Sequence, residues 1–456
     1  MKFKGKKVLM VGLGLQGGGV ATVKWLVRAG AKVTVTDLKT SQQLRISLRK
    51  LRGYRVSYVL GKNPPSLLKG QDLLVQNPAV PNNSPLIKLA LKKKIPIENE
   101  ASLFFKLSPA PIIGVTGSKG KSTIASWLGV MFKLVNPQTV VAGNIRDQVM
   151  MEVLPKIKPS TKVILELSSW QLEGLARWCL SPQVALVTNI LSDHLDRYQS
   201  LIQYTKAKAN IFYWQKPRDI VVLNYDNKLT RKLGPQTVSK LIWFSTKHPV
   251  KIGGYLKQGS AWFRQGKRVV ELFKIKDIQL QGQHNLVNAL AAATVAYAVG
   301  LAASKIRQAI KSFTGLHSRL QLVKTVKGVK YFNDTTATIP DACVAALEAF
   351  RGKVVTLIAG GNDKKLSYRK LAQLIKQRVQ HLILLPGTAT DKLLASLPTS
   401  YQVWQVCSML QAVKKADQLT LQDGIVLLSP AASSFGLFIN EWDRGEQFVK
   451  VVRALK

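Results

Sequence analysis

The sequence predicts an α/β protein of three successive domains, and three observations carry that expectation. A strand, a glycine loop and a helix open the chain, and the same series recurs after residue 111. An alternation of strands and helices then restarts after residue 315. Two stretches punctuate these units: Pro-rich Leu107-Ser108-Pro109-Ala110-Pro111, read as a linker, and Gly315-Leu316-His317-Ser318-Arg319, read as a hinge. The expected domains are therefore 1–108, 109–315 and 316–456. A chain of 456 residues with 46% hydrophobic content can fill several cores.

Composition excludes several classes. The three cysteines, Cys179, Cys343 and Cys407, are far apart and follow no zinc or disulfide spacing, which suits a reducing cytosol. Met1-Lys2-Phe3-Lys4-Gly5-Lys6-Lys7 leads into only a short apolar strand, so no signal peptide is expected. The longest apolar stretch, Leu290 to Ala303, is too short to span a bilayer. A soluble, cytoplasmic protein without membrane insertion follows. Lys and Arg number 67 against 24 Asp and Glu, a net charge of +43. These cations are spread along the chain without interleaved aromatics. That pattern favours a solvated surface on an enzyme with anionic ligands over a specific nucleic-acid site, while predicting salt-sensitive stickiness to nucleic acid.

In the first domain, a strand from Lys7 to Val11 runs into Gly12-Leu13-Gly14-Leu15-Gln16-Gly17, followed by a helix over about Gly18 to Ala29. A second strand, Lys32 to Thr36, ends at Asp37, placed where an acid meets a ribose hydroxyl in a nucleotide-binding βαβ unit. The strand Asp72 to Gln76 ends at the stiff loop Asn77-Pro78-Ala79-Val80-Pro81, near the same sheet edge.

The central domain opens on Gly117-Ser118-Lys119-Gly120-Lys121-Ser122-Thr123, between the apolar strand Pro111 to Val115 and the helix Ile124 to Val135. Glycines let the backbone close around phosphate so that its N–H groups point at oxygens. Lys121 would sit near the β and γ phosphates and Ser122 would offer its hydroxyl to Mg²⁺. The strand Lys162 to Leu167 delivers Glu166, an acid well placed to hold Mg²⁺. The strand Val184 to Ile190 delivers Asp193-His194-Leu195-Asp196, a metal or phosphate contact. A helix from Ser200 to Trp214 carries Lys206 and Lys208, solvated lysines by spacing alone. Ile242 to Leu272 alternates like antiparallel strands. Asn285 and Asn288 share the first turn of a helix through Ala289 to Val299, where they would cap it or hold a purine edge.

In the third domain the strands Val329 to Asn333, Val354 to Ala359, His381 to Leu385 and Ile425 to Leu428 end in loops rich in Gly, Ser, Thr, Asp and Lys. In a doubly wound sheet those ends form the ligand crevice. Thr338-Ile339-Pro340-Asp341 reads as a helix N-cap at Thr338 with Pro at the second helical position.

The series Gly117 to Thr123, Glu166-Leu167-Ser168-Ser169, Thr188-Asn189 through Asp193-His194, Gly282-Gln283-His284-Asn285 with Asn288, and Arg319 resembles the Mur ligase family over nearly the full length. The resemblance implies a Rossmann-like UDP-substrate domain, a central P-loop ATPase-like mixed sheet and a Rossmann-like amino-acid domain. The compact first βαβ unit, Asn333 to Thr338 and Ser429 to Phe435 look most like the members that join D-glutamate to UDP-N-acetylmuramoyl-L-alanine in cytoplasmic peptidoglycan precursor synthesis. That implies an ATP-dependent carboxylate–amine ligase working through an acyl phosphate, with ATP and two Mg²⁺ ions, as a monomer. By family match, Lys121, His194 and Lys208 are catalytic, and Ser122, Glu166, His194 and Lys208 serve the metal ions, Lys208 as a carbamate. Gly117 to Thr123, Asn285, Asn288, Arg319 and Asp334 would bind ATP. Leu15, Gln16, Asp37, Lys39, Asn144 and Ser168 would bind the UDP substrate, and Thr338, Lys364, Ser434 and Phe435 would bind D-glutamate.

Three positions depart from the family pattern: Thr336 for a lysine, Ala79 for a glycine, and Glu441 for an aromatic. An acid at Glu441 would repel a dicarboxylate, so the acceptor is the open point. The alternatives are another Mur-type or folylpolyglutamate-type ligase with a different amino acid, or a nucleic-acid-stimulated P-loop ATPase.

Overall fold

A computed structural model describes residues 2–15, 17–145, 148–191, 197–280, 282–316, 318–364, 366–434 and 436–455. The predicted site residues Gln16, His194 and Phe435 lie outside them. The chain forms two compact units, Met1–Ile278 with Leu286–Ser312, and Gln279–Asn285 with Phe313–Lys456.

The first unit holds two sheets. One is β1 (Lys7–Val11), β2 (Lys32–Asp37), β3 (Val56–Leu60), β4 (Leu73–Gln76) and β5 (Ile97–Glu98), in the order 3-2-1-4-5. All its pairings are parallel. Valine-rich strands buried on both faces explain this: Val8 and Met10 enter one core, and Leu9 and Val11 the other. The order reverses beside β1, so its carboxyl end opens at the switch point of the sheet, where ligands of such sheets sit.

The second sheet comprises β6 (Ile112–Thr116), β7 (Val140–Gly143), β8 (Val163–Glu166), β9 (Val184–Val187), β10 (Ile220–Asn224), β11 (Lys240–Ser245), β12 (Ile252–Lys257), β13 (Ser260–Gln265) and β14 (Arg268–Lys274). Its order is 14-13-12-11-10-9-6-8-7. β6 lies between β8 and β9, both parallel to it, so the ends of three strands converge on the loop after β6. Only β12 to β14 pair antiparallel. β11 runs parallel to β10 and β12, which corrects the reading of all of Ile242 to Leu272 as antiparallel.

The second unit has β15 (Gln321–Val326), β16 (Val329–Asn333), β17 (Val355–Gly360), β18 (Val379–Leu385), β19 (Val403–Gln405) and β20 (Ile425–Leu428), in the order 15-16-20-17-18-19. Only the β15–β16 hairpin is antiparallel. Alternate residues supply two cores: Leu357 and Leu382 face one, Ile358 and Ile383 the other. The fold is thus α/β with three sheets, as expected. Among the described residues no helix is long and apolar enough to cross a membrane.

One buried acid connects packing to pH. Glu100, at the start of the helix Glu100–Leu107, faces the helix after the first glycine loop, where a Cβ on Gly18 would stand 2.9 Å from its Oε2. Burial pushes its carboxyl from 4.5 up to about 7, nearby Glu152 adds to the rise, and the Met151 and Met150 N–H groups oppose it. The folded protein therefore holds the Glu100 proton more tightly than the unfolded chain does. Stability from this group is full below about pH 4.5 and is lost as pH rises to about 7, by about 3 kcal/mol at the limit. Glu100→Gln should match the wild type in urea unfolding at pH 4 and exceed it at pH 8. Equal curves at pH 8 would refute the assignment.

Candidate active site

The loop after β6 is built by its neighbours. Gly117 has φ 149°, and a Cβ there would lie 1.8 Å from Thr188 Oγ1. Gly120 has φ 88° and caps the helix Lys121–Lys133, and its Cβ would lie 2.4 Å from Asn288 Oδ1. Only glycine fits either place. The loop after β9 braces it. Asn189 accepts from Ser118 N through its carbonyl at 2.9 Å and from Lys119 N through Oδ1 at 2.9 Å, and Thr188 Oγ1 donates to Lys119 O at 2.6 Å. Lys121 Nζ lies 3.0 Å from Gly117 O and 3.2 Å from Ser118 O. Ser122 and Thr123 follow in the first turn of the helix, at its positive end.

Lys208 and Glu166 approach this loop from two sides. Lys208 is 2% exposed, donates from Nζ to Gly117 O at 2.8 Å, and lies 4.6 Å from the centroid of the Tyr204 ring. Tyr204 Oη is in turn 3.2 Å from Ser118 Oγ. Lys206, two residues away on the helix Leu201–Ala209, is exposed. Spacing alone predicts both as solvated, and the structure corrects that for Lys208. A helix turn of about 100° per residue puts positions two apart on nearly opposite faces. Glu166 ends β8 and is 2% exposed. Its Oε1 accepts from Asn144 Nδ2 at 3.4 Å, and its Oε2 is buried with no hydrogen-bond partner among the described residues. A buried carboxylate oxygen without a donor is costly unless a cation completes it. Among the described residues no three His, Cys, Asp or Glu side chains converge. A hard cation that prefers oxygen donors, such as Mg²⁺, would complete this carboxylate.

The first sheet sets out the other predicted positions. Asp37 is 6% exposed, and its Oδ2 accepts from Leu13 N at 2.8 Å and Gly14 N at 3.1 Å, its Oδ1 from Lys39 N at 2.9 Å. Oδ2 thus holds the glycine loop in shape and Oδ1 the turn after β2, a use the motif spacing did not suggest. Leu15 and Lys39 are exposed beside it. Ser168 caps the helix Ser169–Arg177, with Gln171 completing the capping box.

In the second unit, Asp334 follows β16, accepting from Ser429 Oγ at 2.9 Å and from Leu320 N at 3.2 Å. Burial raises its carboxyl to about 7, against the pull of Ser429, Leu320 and Arg319. Arg319 itself is exposed. Thr338 is not the helix cap expected of it. The helix Pro340–Ala349 starts with Pro at its first position behind Ile339, where the missing N–H costs nothing. Thr338 Oγ1 accepts instead from Lys364 Nζ at 3.0 Å. Burial lowers the Lys364 pKa, Glu441 raises it and Arg444 lowers it. Glu441 thus lies within electrostatic reach of two cations. Ser434 is 3% exposed, and its Oγ is buried with no partner among the described residues.

Arg444 was missed in the sequence. It is fully buried, donating to Thr335 Oγ1 at 3.0 Å, Thr335 O at 2.9 Å and Ala432 O at 3.2 Å. Burial lowers its pKa to about 10, and Glu441 opposes the fall. A signal existed: Arg444, Phe448 and Val452 are four residues apart, so the arginine lies on the apolar face of its helix.

Models of three families match the chain: "Mur ligase MurD-like, N-terminal domain" over residues 6–99, "Mur ligase middle domain" over 115–296 and "Mur ligase, glutamate ligase domain" over 318–432. A UDP-N-acetylmuramoylalanine--D-glutamate ligase from Roseiflexus sp. (strain RS-1) is 41% identical over 470 residues, covering 100% of each chain. One of that name from Caldanaerobacter subterraneus subsp. tengcongensis is 36% identical over 459 residues, with the same coverage. Among solved structures, a UDP-N-acetylmuramate-alanine ligase from Thermotoga maritima superposes with a TM-score of 0.63 at 21% identity, covering 98% of this chain and 99% of that one.

Proposed function

The chain belongs to the Mur ligase family, and from that membership and the geometry of the β6 loop we infer that it joins D-glutamate to UDP-N-acetylmuramoyl-L-alanine at the expense of ATP. The reading rests above all on one observation: Glu166, with a buried oxygen unpartnered among the described residues, ends the strand beside β6, and Lys208 is buried against Gly117 in the phosphate-type loop.

In this reading ATP phosphorylates the substrate carboxylate, and ADP leaves the transferred phosphoryl group. The amine of D-glutamate attacks the acyl phosphate, and the tetrahedral adduct collapses to amide and phosphate. Such transfer needs positioning and charge neutralisation more than covalent chemistry. The loop N–H groups and the helix end from Lys121 would hold the phosphates, with the Lys121 ammonium over them. Mg²⁺ bound at Ser122, Glu166, His194 and Lys208 would neutralise charge on the transferring group. At Lys208 the neutral amine would add CO2, losing a proton, to give an anionic carbamate whose oxygens face the metal site. Thr338, Lys364 and Ser434 would receive D-glutamate, with Phe435, and the Ser434 hydroxyl is available to accept or donate there. Gln16, Leu15, Asp37, Lys39, Asn144 and Ser168 would border the UDP substrate, and Asn285, Asn288, Arg319 and Asp334 the nucleotide. The proposed domains are 1–108, 109–315 and 316–456, in a cytoplasmic enzyme.

Phosphate release separates this reading from its rivals. It should require UDP-N-acetylmuramoyl-L-alanine and D-glutamate together. Release with another amino acid but not D-glutamate would overturn the acceptor, and release driven by nucleic acid alone would overturn the ligase.

A further inference from the structure

We propose that Arg197 is a positioning residue for the UDP-sugar site, acting through the loop 77–82. The proposal rests on the ligase reading above. Arg197 lies in the stretch between β9 and the helix Leu201–Ala209, outside the first sheet, and its side chain is only 13% exposed. Its guanidinium is used on three sides. Nη1 donates to Pro78 O at 2.8 Å, Nη2 pairs with Glu173 Oε2 at 3.1 Å, and its carbon stands 4.4 Å from the centroid of a Trp170 ring.

The same loop is gripped again close by. Glu173 Oε2 accepts from Asn82 Nδ2 at 3.0 Å. Arg177 reaches Gln76 Oε1 at 3.3 Å and Asn82 Oδ1 at 3.2 Å. Gln76 Nε2 ties the ends of the loop together, donating to Val80 O at 2.8 Å and Asn82 Oδ1 at 3.0 Å. Inside it, Ala79 N donates to Asn77 Oδ1 at 3.0 Å.

The opposite side of this loop is the wall of the glycine loop after β1. A Cβ on Gly12 would stand 2.8 Å from Val80 Cγ2 and 3.0 Å from Asn77 Cβ, and one on Gly14 would stand 3.2 Å from Asn77 Nδ2. The backbone that would face the UDP diphosphate thus rests directly on Asn77 and Val80. Close-packed contacts transmit displacement rather than absorb it. Moving the Pro78 carbonyl therefore moves the N–H groups of the glycine loop. Arginine suits the task because one rigid fork meets a carbonyl and a carboxylate at once while its face stacks on an aromatic ring, whereas a lysine is a single point charge.

The test compares wild type, Arg197→Ala and Arg197→Lys by calorimetric binding of UDP-N-acetylmuramoyl-L-alanine without ATP, by KM for each substrate, and by Tm. Arg197→Ala should weaken binding of the UDP substrate and raise its KM by about tenfold or more, the worth of a charge-assisted hydrogen bond, with the KM for ATP within about twofold. Arg197→Lys should recover part of this at an unchanged Tm, and it decides the matter if the alanine variant does not fold. Unchanged affinity in both variants, or KM values for ATP and the UDP substrate rising together, overturns the proposal. A wild type that neither binds nor consumes the UDP substrate overturns the ligase reading and this inference with it. A wild type that does both while the Lys variant equals it overturns this inference alone.

Discussion

Replacing Lys208 by alanine is expected to lower ligase turnover by about a thousandfold, while the same change at Lys206 leaves it within about twofold. The two lysines are two residues apart on one helix, yet Lys206 is exposed and Lys208 is 2% exposed with Nζ on Gly117 O at 2.8 Å. A purely structural Lys208 would brace the loop as a hydrogen-bond donor. A carbamate would present oxygens instead, and its loss removes a negative charge beside the transferring phosphoryl group. The two roles separate under chemical rescue. Small carboxylic acids should restore part of the activity of Lys208→Ala, and buffer stripped of CO2 should depress the wild type until bicarbonate returns. Equal activity of the two alanine variants would sink the assignment. Inactivity of Lys208→Ala without rescue, together with indifference of the wild type to CO2, would leave the lysine a structural donor.

What the residues alone disclosed follows the range of the forces involved. β16 and β20 are found at Val329–Asn333 and Ile425–Leu428, the bounds read from the sequence; β20 is apolar throughout because it is buried on both faces, whereas β16 keeps one exposed lysine, Lys330. The phosphate-type loop was legible because its glycines answer to local backbone geometry. The helix Gln283–Ala298 carries Asn285 and Asn288 in its opening turns, as the motif at its start implied. Lys208 was misread by spacing, since the helix Leu201–Ala209 buries a mixed face of Tyr204, Ala207 and Lys208 with no clean apolar stripe. Asp37 was placed by a motif whose ribose role is one of two uses for an acid there. Its two oxygens are taken by N–H groups 23 and 24 residues before it and by that of Lys39. The Arg197 contacts were beyond reach for a different reason. Pro78 is 119 residues away in sequence, and no local pattern records a carbonyl acceptor.

Glu166 carries the second large expectation, and it divides stability from activity. Its Oε1 has Asn144 Nδ2 at 3.4 Å, and its Oε2 is buried without a donor among the described residues. Without a cation, that arrangement is destabilising, because a buried acceptor left unmade costs about 1–3 kcal/mol and more when charged. Glu166→Gln replaces the charge with a neutral amide of the same shape. In metal-free protein its Tm should therefore equal or exceed the wild-type value. In turnover the same change should cost about a hundredfold or more in kcat/KM at fixed Mg²⁺, since even the outer partners of a metal ligand are worth about 10- to 100-fold. Raising Mg²⁺ should recover part of that loss, because the remaining oxygens still form a weaker site. The wild type should gain Tm on adding Mg²⁺ with nucleotide, by mass action, and the glutamine variant should gain less. An acid kept only to hold Asn144 predicts the reverse: a lower metal-free Tm for Glu166→Gln and no shift in the Mg²⁺ dependence. A variant that loses stability while keeping its Mg²⁺ response would remove Glu166 from the metal site.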